Sequence, residues 1–353
     1  MKTTNFMLAM GVIALTACTS TDVVEESLQQ TAIGFASHVN KPSRAIDKAD
    51  ELTQFQVFGS YKLGTQSNRI VNFNDVMVSR ADAATAWSYT DPRYWLENAS
   101  YMFYAYSNDN SALGNGEGTA AFSNATGVLS IENYIADATH QKDLVFAKST
   151  EITGKKTGNS PVAFTFKHAL ARIHATFKSG FPEGYECKIS DFKVVDAYTH
   201  GDFSSESLSA DNVWKVKGET TGNIDLSLTS GKDVCTSKTA TAEAVDVMSG
   251  YVYVIPNDYT NEDENQIGKH GSVSFTFKID VTNPNGEAVL GRSLKATWTP
   301  KWEMNKSYNY NITINGSAAG LEKIEFTVAT VDGWEEGVPT LEDISLGANF
   351  SED

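Results

Sequence analysis

His168, Arg172 and His174 are the first residues whose types and spacing could do chemistry. The two histidines stand an even number of positions apart with the arginine between them, so a regular strand would turn all three to one face. An imidazole pair can ligate a metal. This pair has no third ligand close by in sequence, and the guanidinium would repel a cation. Two hydrogen-bonded or exposed histidines are the simpler account. Asp258, Glu262, Asp263 and Glu264 form an acidic loop of the kind that can bind Ca²⁺, but the spacing of an EF-hand is missing and a solvated loop explains them. Gly114, Gly116 and Gly118 recur at every second position without the strand–turn–helix setting that a phosphate-binding loop needs. HExxH, GxSxG and P-loop patterns are absent from the sequence. The expectation is a chain with no catalytic residue, no metal and no cofactor.

Two further groups keep alternatives open. Cys187 and Cys235 can close a disulfide in an oxidising exterior or stay as buried thiols. Trp87, Tyr89, Tyr94 and Trp95 cluster in a turn-rich stretch. Such rings stack on sugars or fill the end of a β-core. A surface-anchored glycan-binding protein using Trp87, Tyr94 and Trp95 is therefore the alternative function to keep in view.

The elements that must position these residues are strands. Val273, Phe275, Phe277, Ile279 and Val281 alternate with polar residues, as do Tyr308, Tyr310, Ile312 and Ile314. Tyr101 to Tyr106 is aromatic at both parities, which fits a strand buried on both faces. Asn283 to Gly286 lies between two alternating runs and reads as a hairpin turn. Across His168 the apolar parity changes, which predicts one continuous strand with a bulge. Short strands with frequent turns give an all-β fold of β-sandwiches, and 353 residues suit two of them.

Composition narrows the partners. The chain carries 28 Lys+Arg against 44 Asp+Glu, a net charge of −16, which excludes nucleic acid as a partner. Residues 1–17 read as a secretory signal, with Lys2 ahead of an apolar stretch from Phe6 to Leu15. Leu15-Thr16-Ala17-Cys18 matches a lipobox, so Cys18 is the expected lipidation site and acyl chains (palmitate) would anchor the body to a membrane. Asp22, Glu25 and Glu26 follow in a polar tether.

Taken in order, several motifs resemble the fimbrillins, the type V pilin subunits of Gram-negative anaerobes. They are the lipobox, Ile33-Gly-Phe35 with Ser43-Arg44-Ala45 and Phe55-Gln-Val57, Tyr94-Trp95 with Tyr101 to Tyr106, Asp143 to Ala147 with Phe164 to Leu170, and Trp302 to Ile312 with Val331 to Trp334. The resemblance implies two tandem transthyretin-like β-sandwich domains. It also implies a lipoprotein precursor at the outer membrane and cell surface, cut by a protease after an arginine. The emptied groove then takes a strand from another fimbrial subunit, building an extracellular fimbria that supports adhesion to a host or bacterial surface receptor. On this sequence the organisation becomes a signal at 1–17, a propeptide at 18–44 with a removable first strand, an N-terminal domain at 45–180 and a C-terminal domain at 181–353. Cleavage falls between Arg44 and Ala45, in a segment of loop composition; Arg69 and Arg80 lie inside the body. Ile33, Phe35 and Val39 alternate along the displaced strand. Val338, Leu341, Ile344 and Leu346 mark a candidate donor strand, although Glu342 interrupts it and Glu335, Glu336, Asp343, Glu352 and Asp353 make the tail acidic.

Overall fold

In a computed structural model of the chain, the residues described are 31–39, 52–155, 158–206, 213–217, 221–225, 234–236, 245–246, 248, 250–260, 271–317, 320–321, 325–331 and 340–342. Among them every regular element is a strand. The first nine are β1 (Phe35–Val39), β2 (Gln54–Leu63), β3 (Ile70–Ser79), β4 (Ala99–Asn108), β5 (Thr119–Phe122), β6 (Leu129–Ile135), β7 (Leu144–Lys148), β8 (Ile152–Thr153) and β9 (Val162–His168). One sheet runs β1-β9-β7-β4-β2-β3, with β8 added to β4. Its ladders are antiparallel except for β1 on β9, which is parallel and pairs Phe35 with Val162 through to Val39 with Phe166.

The period-2 pattern dictates the two faces of this sheet. Tyr101, Phe103 and Ala105 of β4 join Phe55, Val57 and Phe73 in one core, while Tyr104 and Tyr106 join Phe58 and Phe146 in another. The aromatic run is thus buried on both sides, as its composition requires. The first core is closed by residues 80–98, through Trp87, Tyr89 and Trp95.

The remaining strands are β10 (Ala171–Gly180), β11 (Glu186–Tyr198), β12 (His200–Ser204), β13 (Trp214–Val216), β14 (Thr221–Asp225), β15 (Val234–Thr236), β16 (Val245–Asp246), β17 (Val252–Val254), β18 (Asn257–Asp258), β19 (Val273–Thr282), β20 (Ala288–Trp298), β21 (Lys301–Trp302), β22 (Ser307–Ser317), β23 (Gly320–Leu321), β24 (Glu325–Val331) and β25 (Thr340–Glu342). They form sheets ordered β16-β10-β22-β24-β25 and β14-β11-β19-β20, with β17, β23 and β15 as side branches and β18-β21 as a separate pair. These two sheets face each other through Phe177 against Phe192 and Phe277, and through Tyr310 against Phe275 and Trp298. The fourth sheet, β13-β12-β6-β5, covers the second face of the first sheet: Phe203 packs on Phe146, and Phe122 on Phe58 and Tyr104. Hydrogen bonding crosses residue 180 in both directions. β10 pairs with β22, while β12 returns to β6 and carries β13 on its other edge.

The hairpin at Asn283 to Gly286 forms between β19 and β20, with Gly286 at a φ of 81° and its N–H donating to Asn283 O at 2.9 Å. The parity change at His168 has a different cause from the bulge expected. Residues 169–170 are a bend, and the two halves of the run belong to different sheets: β9 to the first and β10 to the β22 sheet. Ala169 N–H donates to Leu144 O at 2.7 Å, the last bond to the first sheet before the bend carries the chain to the other.

Candidate functional site

The seat of β1 brings together the largest group of side chains around a removable segment. Residues 31–33 lie antiparallel to 93–95. Ile33 N–H donates to Arg93 O at 2.7 Å, Trp95 N–H to Thr31 O at 3.2 Å, and Tyr89 O–H to Ile33 O at 2.8 Å. Val162 N–H donates to Gly34 O at 2.8 Å and starts the parallel ladder with β9. These bonds use the backbone of the segment and would serve any sequence of similar shape.

The side chains are selective. Ile33 and Phe35 are 1% and 6% exposed. Five rings surround Phe35. Phe164 lies parallel at 5.8 Å, with an interplanar angle of 7°. Phe55 (6.4 Å), Phe73 (5.4 Å), Tyr89 (5.6 Å) and Phe103 (5.9 Å) meet it edge-on. Edge-to-face and offset contacts are the favoured arrangements of aromatic quadrupoles, each adding about 0.5–1.5 kcal/mol beyond area burial. Burial pushes the Tyr89 hydroxyl pKa above its usual value despite its contacts with Arg93, so it stays a neutral donor. Sequence reading found Ile33 and Phe35 by alternation. It missed Phe55, Phe73, Tyr89, Phe103 and Phe164 as one cage, because four strands and a loop contribute them.

Of the other expected site residues, Cys18, Arg44, Ala45, Val338, Ile344 and Leu346 lie outside the described residues. Val39 is described as a backbone partner of Phe166. Leu341 sits in β25, paired with Ala329 of β24 in the same chain. The three glycan candidates do not share a platform. Trp95 is 1% exposed and packs on Tyr101 at 4.7 Å, so its face is closed to a sugar. Trp87 packs on Phe55 at 4.5 Å beneath the Arg80 guanidinium, and Tyr94 alone is open at 48%.

His168 and His174 fall on different strands rather than one face. His168 Nδ1 lies 3.0 Å from both carboxylate oxygens of buried Asp143, while His174 packs beside Tyr251. Arg172 Nε donates to Ser307 Oγ at 3.1 Å. Among the described residues no group of three or more His, Cys, Asp or Glu could hold a metal ion. Asp258 accepts from Thr260 and pairs with Lys301; Glu262, Asp263 and Glu264 lie outside the described residues. Cys187 is buried and is the register partner of Cys235 across β11 and β15. The glycine-rich loop ends in a polar knot that spacing did not announce. Glu117 accepts from Gly114 N–H at 2.7 Å and Asn108 Nδ2 at 3.0 Å, and pairs with Lys142 at 2.6 Å.

The described elements make an all-β protein built around the seat of its first strand. The chain belongs to the fimbrillin-like family, whose sequence model matches residues 43–334. That family comprises adhesive or structural subunits, not enzymes, and its membership implies a cell-surface location and assembly with fimbrial subunits. None of the curated proteins matches the chain. Among solved structures, it is similar to a candidate cell adhesion protein of Bacteroides uniformis at 16% identity, over 86% of this chain and 99% of that one, with a TM-score of 0.43. It is similar to another from Bacteroides eggerthii at 13% identity, over 85% and 92%, with a TM-score of 0.45. A fimbrial assembly protein of Parabacteroides distasonis matches at 11% identity, over 89% and 99%, with a TM-score of 0.40.

Proposed function

We propose that this chain is a fimbrial subunit exported as a lipoprotein, cut after Arg44, and assembled by exchange of its first strand. Cys18 carries the acyl chains that hold the precursor at the outer membrane. Cleavage between Arg44 and Ala45 frees the propeptide. Residues 31–39 leave, and a strand from another fimbrial subunit takes their place in the extracellular fimbria, which supports adhesion to a surface receptor. The tail containing Val338, Leu341, Ile344 and Leu346 is the candidate donor strand that this chain offers to a neighbouring subunit. The proposed body is two transthyretin-like sandwiches in tandem, 45–180 and 181–353, with β10 and β12–β13 crossing between them.

One observation carries this reading. β1 is an edge strand held by a single ladder, yet it supplies the central side chain of the first core. Its loss would expose the free edge of β9 and an apolar cage. Such a surface associates with whatever strand can refill it. Strand addition restores the main-chain bonds and the core at once.

The test is limited trypsin digestion of the lipid-free precursor, with N-terminal sequencing and size analysis. A clean cut after Arg44 followed by growth of denaturation-resistant oligomers is the expected result, and Arg44→Ala should stay uncut and monomeric. If Arg44→Ala polymerises as the parent does, the processing site is wrong. Absence of both a preferred cut and oligomers would end the strand-exchange reading.

A further inference from the structure

We infer that the seat of β1 selects the strand of another fimbrial subunit that replaces it by one aromatic side chain, two positions after an aliphatic one. The inference rests on the strand-exchange reading above. The hydrogen bonds of the seat are made to main-chain atoms at Thr31, Ile33 and Gly34, so they give affinity without discrimination. Discrimination must come from side chains, and these are concentrated at two positions. Ile33 is buried, and Phe35 enters the five-ring cage. The cage has one parallel wall, Phe164, and four edge-on walls, which together fit a flat ring. An aliphatic side chain there leaves part of the volume empty, and an alanine leaves most of it. At the next inward position, Ser37 is half-buried and its Oγ has no hydrogen-bond partner among the described residues, so a small residue suffices there.

The occupant must therefore run parallel to β9 and read aliphatic–x–aromatic–x–small, with the aromatic level with Val162. The tail of this chain does not offer that pattern. After Trp334 its one aromatic residue is Phe350; two positions earlier stands Ala348, and two positions later Glu352. Seating Phe350 in the cage would underfill the Ile33 site and bring a carboxylate to the half-buried Ser37 level, where desolvation opposes it. Residues 338–348 carry Val338, Leu341, Ile344 and Leu346 and no aromatic at all. Leu341 already lies in β25, paired within its own chain. A strand bearing an aromatic two positions after an aliphatic residue is the partner this seat fits, and residues 335–353 do not supply it.

Peptide exchange on the full chain cut by trypsin tests the inference. Labelled peptides spanning residues 31–39 are compared by fluorescence anisotropy in four forms: the native sequence, Phe35→Tyr, Phe35→Leu and Phe35→Ala. A fifth peptide spans tail residues 344–353. The native and Phe35→Tyr peptides should bind comparably, Phe35→Leu about tenfold more weakly, and Phe35→Ala at least about a hundredfold more weakly. The tail peptide should also be weaker than the native one by at least about a hundredfold. Binding of Phe35→Ala within about threefold of native overturns the aromatic selection. Binding of the tail peptide within about tenfold of native overturns the aliphatic–x–aromatic–x–small pattern. If the native peptide itself fails to exchange, the strand-exchange reading falls and this inference with it, a result distinct from the other two.

Discussion

Replacing Phe35 by alanine in the uncut precursor should remove the centre of the first core. Phe35 is 6% exposed and touches five rings, none of which belongs to its own strand. A buried Phe→Ala change costs about 3–5 kcal/mol, the spread reflecting how far the site collapses. The cage walls come from β2, β3, β4, β9 and residues 80–98, which hold one another through further ring contacts such as Phe73 with Phe103 and Phe55 with Phe166. Those contacts resist collapse. The edge position of β1 allows some relaxation, so about 3–4 kcal/mol is expected. With about 2–4 °C per kcal/mol for a unit of this size, the transition should fall by about 10 °C. Urea unfolding followed by tryptophan fluorescence, together with thermal unfolding by circular dichroism, measures both quantities. Ser37→Ala on the same strand is the control. Its Oγ makes no hydrogen bond among the described residues, so the change should stay within about 0.5 kcal/mol. A loss below about 1 kcal/mol for Phe35→Ala, or an equal loss for both variants, would refute the claim that this ring holds the strand in place.

Three other substitutions probe the same surroundings. Gly59→Ala places a Cβ 2.6 Å from the Phe103 ring and 3.2 Å from Phe73, so the cage must shift and unfolding measurements should record about 1–3 kcal/mol of destabilisation. Trp95→Ala should cost about 3–5 kcal/mol while Tyr94→Ala stays within about 0.5 kcal/mol; sugar titration that tracked Trp95 without loss of stability would contradict its buried position. Asp137 tests the acid limb. Burial raises its pKa, but hydrogen bonds from His140 and Thr139 outweigh that and hold it down at about 2 against the ordinary 3.8. Its folded pKa lies below the unfolded one, so its stabilisation is present above about pH 4 and is lost as pH falls towards 2. Urea midpoints of the parent should therefore decline relative to Asp137→Asn across that window, by a small amount because the side chain is about a third exposed.

The strands of this protein are written locally. Alternation at 273–281 and 308–314 follows from the pleat, and the two-sided aromatic run at 101–106 follows from a central place in a sheet. The turn at Asn283 to Gly286 is equally local, since Gly286 supplies the positive φ the hairpin needs. The family too could be reached from ordered motifs along the chain, and the family model spans residues 43–334. Sheet membership could not be reached in this way. The run through His168 reads as one strand, and only the tertiary structure divides it between two sheets, because a bend and a bulge leave the same parity change in a sequence. Trp95 and Tyr94 read alike in the sequence, as sugar-stacking or core-filling rings; neighbouring residues of opposite parity point to opposite faces, and which face meets the core depends on distant strands. The cage around Phe35 is the clearest case. Each of its rings sits at an ordinary inward position of its own segment, and their meeting is set by the parallel pairing of residues 35–39 with 162–166, more than a hundred residues apart. Periodicity determines which side of a strand is apolar; long-range pairing decides what that side touches, because strand order and register are fixed by the packing of the whole sheet.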